Sequence, residues 1–85
     1  MDSIAQIAEK NAHIATETIE VDIAVTEREI AQMEEEAKHL EGTPQHMREA
    51  RWNHMRAADR RRGIQERKEF VDKLKAILKY RKEGA

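Results

Sequence analysis

The chain has 85 residues, no cysteine and a net charge of −1, with 39% charged and 4% aromatic side chains. That length allows one domain with a small core, and the missing cysteine excludes a disulfide framework. The composition suits long solvated helices better than a compact globule. Disorder competes at this charge density, but the sustained apolar spacing argues against it. No apolar run approaches the roughly 18–20 residues that cross a bilayer. Met1-Asp2-Ser3 has no basic segment ahead of an apolar one, so a cytoplasmic chain without membrane contact is expected.

Ser3-Ile4-Ala5-Gln6 reads as a capping box, which starts a first helix at about Ile4. With no proline or glycine inside it, this helix is predicted to run over 4–41. Ile4, Ile7, Ile14, Val21 and Val25 mark one face. Ile19, Ile23, Thr26, Ile30, Met33, Ala37 and Leu40 mark another, stepping by alternating fours and threes. The second set is the seam of a helix that packs along another helix. Gly42 can end the helix in the left-handed conformation, Thr43 can cap the next one, and Pro44 suits its first position. A turn at 42–44 and a second helix over about 44–82 follow. The predicted fold is all-α: a single antiparallel two-helix hairpin over 1–85, dimerising into a four-helix bundle.

In the second helix Met47, His54, Ala58 and Gln65 form a weak packing stripe. Phe70, Val71, Leu74, Ile77 and Leu78 face almost the other way, with Trp52 on their side. A tight turn puts Leu40 beside Met47, Ile30 near Ala57, Ile23 near Ile64, Ile14 near Val71 and Ile7 near Leu78. The faces then change at one level in both helices, where Gly63 allows a bend or a close approach. Val21, Val25, Trp52 and Phe70 have no burial in a lone hairpin, and such exposed apolar groups mark association.

Charge divides along the chain. Residues 1–42 hold eleven acids and three bases, whereas residues 43–85 hold thirteen bases and six acids. Glu20, Glu27, Glu34 and Glu41 recur every seven residues, as do Arg61, Lys68, Lys75 and Lys82. Such repeats are flanking charges that set helix orientation. In the tight-turn register Arg60–Lys68 lie level with Glu20 and Glu27. Lys75, Lys79, Arg81 and Lys82 face residues 5–12, where Glu9 is the only acid. That surplus suggests a nucleic-acid site made of Arg61, Lys68, Lys75, Lys79 and Lys82.

Glu36 and His39 have the E-x-x-H spacing of bundle metal sites, but only Glu49 lies at a suitable level to join them, so no metal or other cofactor is expected. No nucleophile–base pair or glycine-rich loop is present, and two helices offer no deep pocket, so an enzyme is not expected. The general shape resembles small RNA-binding or inhibitory helical hairpins that dimerise. The first functional expectation is an interaction module that self-associates and binds a protein partner as inhibitor or adaptor, an economy of size common among viral accessory and host-inhibiting proteins. Trp52, Met55, Phe70 and Leu74 would make its apolar contact, with Arg56 and Arg60 flanking it. The nucleic-acid site is the alternative, and a metal-binding bundle a minor one.

Overall fold

The computed structural model describes residues 2–84. They form three α-helices and no strand: α1 (Ile4–Lys10), α2 (Thr16–Glu41) and α3 (Ala50–Gly84). α1 starts as its sequence predicts. The Ser3 hydroxyl accepts from the Gln6 N–H, and the Gln6 side chain accepts from the Ser3 N–H, so two orphan donors are satisfied reciprocally.

The single helix predicted over 4–41 is broken at residues 11–15. Its two apolar faces explain the break, because one straight helix cannot turn both toward the same neighbour. Interrupting it lets Ala8 bury fully and Ile7 and Ile14 bury partly against the common core. The break is also bonded from outside. Arg81 donates one N–H to the Asn11 carbonyl at 2.8 Å and another to the Thr16 hydroxyl at 3.2 Å. Asn11 closes α1 itself by donating its side-chain amide to the Ile7 carbonyl. α1 therefore packs on α3 rather than continuing along α2.

α2 buries its predicted seam: Ile19, Ile23, Thr26, Ile30 and Ala37 are buried, and Met33 and Leu40 half-buried. Its end departs from expectation. Gly42 stays right-handed, with φ −75° and ψ −2°, and α3 begins at Ala50 rather than Pro44. Thr43 caps no helix at Pro44. Its hydroxyl accepts from the Asn53 side-chain amide at 3.0 Å, and its carbonyl lies 3.1 Å from His54 Nε2. Hydrogen bonds from Met47 N–H to the Pro44 carbonyl and from Ala50 N–H to the Met47 carbonyl carry the chain round.

The longer connection resets the register. α2 and α3 run antiparallel, with Glu29 against Arg67 and Met33 over Gly63, so Ile30 is well removed from Ala57. The packing stripe of α3 is Ala50, Ala57, Ile64 and Val71, each seven residues from the last and all buried. Met47, Ala58 and Gln65, expected on that stripe, are exposed, and His54 is half-buried. A Cβ added to Gly63 would sit 2.8 Å from Met33 Cε, so Gly63 serves the close approach of α2, and α3 runs through it unbroken. The molecule measures 57 × 26 × 18 Å.

Ile77 is 0% exposed, so shortening it leaves a cavity that neighbouring helices close only in part. Urea unfolding of Ile77→Ala should show a loss of about 2–5 kcal/mol, whereas Val25→Ala, on the open surface, should stay within about 0.5 kcal/mol of the parent.

Candidate functional site

The charge repeats set one side of the helix pair. Glu41 meets Arg61 at 2.8 Å, Glu34 meets Lys68 at 3.3 Å and Glu27 meets Lys75 at 3.7 Å. Glu20 and Lys82 continue both series but form no ion pair among the described residues. A second row lies on the opposite side, where Glu36 pairs with Arg60 at 3.1 Å and Glu29 with Arg67 at 3.2 Å. Arg81 ends that row on Asn11 and Thr16.

These pairs correct the expected basic surplus. Arg60 and Lys68 face Glu36 and Glu34 rather than Glu20 and Glu27, and Lys75 is matched by Glu27. Of the five residues expected to hold nucleic acid, Arg61, Lys68 and Lys75 are engaged by carboxylates of α2. Only Lys79 and Lys82 stand without an ion pair among the described residues. Glu36 of the E-x-x-H spacing is taken by Arg60, and no group of three or more His, Asp or Glu side chains converges among the described residues.

The apolar candidates divide as well. Trp52 is 66% exposed, Met55 56% and Phe70 45%, whereas Leu74 is only 8% exposed and belongs to the core. Leu74 belongs to the same buried cluster as Ile23, Val71 and Ile77, so the chain itself covers it. Arg56 lines a cleft of about 290 Å³ with Met33, Asp59 and Arg60. Beyond the other edge of Met55 lies a broader groove of about 530 Å³, formed by Met47, Ala50, Met55 and Ala58 and rimmed by Arg48, Arg51 and His54. Sequence reasoning missed this groove, because it placed Met47 and Ala58 in the packing stripe. The signal that would have found it is the spacing of seven through Ala50, Ala57, Ile64 and Val71, which turns Met47 and Ala58 outward. Val21 and Val25 form a smaller exposed pair on α2.

Among the described residues no helix is long and apolar enough to cross a membrane. No family model, curated protein or solved structure matches the chain.

The Glu41–Arg61 pair is two-pronged, with Arg61 Nε and Nη2 donating to separate carboxylate oxygens at 3.1 and 2.8 Å. This hydrogen bonding holds the Glu41 carboxyl below its ordinary value against an opposing desolvation, with lesser charge contributions from Arg61 and His54 adding to it. It likewise raises Arg61. A carboxyl depressed in the folded state stabilises the fold above its unfolded pKa, and that contribution disappears as pH falls through the folded value. In an NMR titration, Arg61→Ala should therefore return the Glu41 midpoint upward toward the usual carboxylate range. An unmoved midpoint would show that the bond does not persist in solution.

Proposed function

We propose that this chain is a small helical interaction module. It self-associates through its surplus apolar surface, with antiparallel helix pairs building a four-helix bundle, and binds a macromolecular partner as an inhibitor or adaptor. The observation that carries this reading is the exposure of Trp52 and Met55, one turn apart on α3, in a chain whose other surface is dense with charge. Large aromatics bury much apolar area for few rotatable bonds, and methionine's flexible thioether fits itself to uneven surfaces, so both are enriched in protein contacts. Phe70 extends the apolar surface along α3, and Arg56 and Arg60 flank it. Leu74 plays no part in the contact.

Trp52 is the chain's single tryptophan, so its fluorescence reports association directly. As protein concentration rises from micromolar to millimolar, the emission maximum should move to shorter wavelength while the scattering mass increases. Capture from extracts of the native host should recover a partner with the parent chain and lose it with Trp52→Ala/Met55→Ala. Emission and mass that stay constant, together with equal capture by both chains, would refute the assignment.

A further inference from the structure

α3 carries a second stripe beside its packing seam. Trp52, Arg56, Asp59, Gly63, Glu66 and Phe70 are separated by four, three, four, three and four residues. At 100° per residue they fall within a band about 80° wide. The band continues through Lys73 to Ile77 and Tyr80, and that end already holds a helix: α1 lies on α3 there and Ile77 is fully buried. Phe70, one heptad earlier on the same band, remains 45% exposed. Arg56 and Glu66 are exposed and form no ion pair among the described residues, unlike the arginines of the seam.

Building on the reading that the chain self-associates, we infer that the occupant of the open stripe is the same stripe of a second copy, laid antiparallel. The spacing is symmetric, so it presents the same steps from either end. A two-fold axis near its middle then sets Trp52 against Phe70 of the second copy, and Arg56 against its Glu66. Asp59 falls beside its Gly63, which adds no side chain of its own, at the edge where the tip of Met33 lies. Each contact occurs twice, which makes the interface isologous and closed. Opposite charges meet at both unpaired positions, and the two aromatic side chains cover each other. The second copy's α3 covers the band from Trp52 to Phe70 and ends where α1 takes over at Ile77, so the two helices fill the stripe without competing. Two α2–α3 pairs joined this way give four long helices in one bundle.

Charge reversal tests the register. In Arg56→Glu every such contact becomes Glu against Glu, and in Glu66→Arg it becomes Arg against Arg. Each variant should weaken self-association about tenfold or more in Kd by analytical ultracentrifugation, with helicity by circular dichroism unchanged. The double variant Arg56→Glu/Glu66→Arg should regain the parent's association. An equimolar mixture of the two single variants should form a mixed dimer, since both of its contacts are then complementary. A parent chain that stays monomeric throughout overturns both this pairing and the self-association beneath it. Association that survives either single reversal, or fails to return in the double variant and the mixture, overturns the pairing alone and leaves another face as the site.

Discussion

Acidic and basic side chains spaced seven apart on two antiparallel helices face each other over three rungs, from Glu41–Arg61 to Glu27–Lys75. Each rung is solvent-exposed and screened by water, so it contributes little, and the ladder does not hold the helices together by itself. Nor does it select orientation, because two single-sign series of equal spacing match in parallel as well as antiparallel; the short connection over 42–49 sets the antiparallel course. A ladder with a period of seven also tolerates a slip of seven, since Glu34 would then meet Arg61 and Glu27 would meet Lys68. What removes that degeneracy is a set of contacts that do not repeat. Asn53 and His54 are anchored on Thr43, Met33 lies over Gly63, and Arg81 is bonded across the break at Asn11 and Thr16. The short connection sets direction, and single polar and steric contacts set register.

That division explains which features could be read in the sequence. The α2 seam was legible because isoleucines at alternating fours and threes have one helical interpretation. The capping box at Ser3 was legible because it is wholly local. Of the second face read on α3, only Trp52 and Phe70 stay exposed; Val71, Leu74 and Ile77 are buried and Leu78 packs against them. The break at 11–15 was not legible, since no residue there forbids a helix and the group that stabilises the break, Arg81, lies at the far end of the chain. The start of α3 was misread because Thr43 and Pro44 make a good local signal for a helix beginning there. Bonds from Asn53 and His54 to Thr43 outweigh it. The α3 seam was concealed by its composition: alanines serve as apolar positions, and Arg60 and Arg67 lie beside it, reaching out to carboxylates. An apolar count undervalues both.

Of the candidate site, the aromatic pair was visible and Leu74 was misassigned, which has one physical cause. Leu74 and Phe70 are four residues apart on nearly the same face, so sequence periodicity treats them alike. Whether each is covered depends on which helices lie against α3 at that side and level, and that follows from the tertiary packing rather than from α3 itself. The basic stripe fails as a free surface for a related reason. Lys75 looked unpaired only while the connection between the helices was taken as tight, and the longer connection brings Glu27 to it.

The number of helices at each level decides how much a side chain can be buried. The two largest fully buried side chains among the described residues, Ile19 and Ile77, both lie at the end where α1 makes a third helix. At the other end, where only α2 and α3 are present, the well-buried residues are the alanines Ala37, Ala50 and Ala57, while Met47, Trp52 and Met55 stand outside. Two helices enclose a narrow line of contact that a methyl group can fill. A ring system needs a third surface to leave water. The chain supplies that surface once, by breaking its first helix and folding seven residues back onto α3. Among the described residues no third helix lies near the connection. The side chains left uncovered there, Met47, Trp52 and Met55, are those with the most to gain from burial, so the exposed apolar surface gathers at the end where α2 connects to α3.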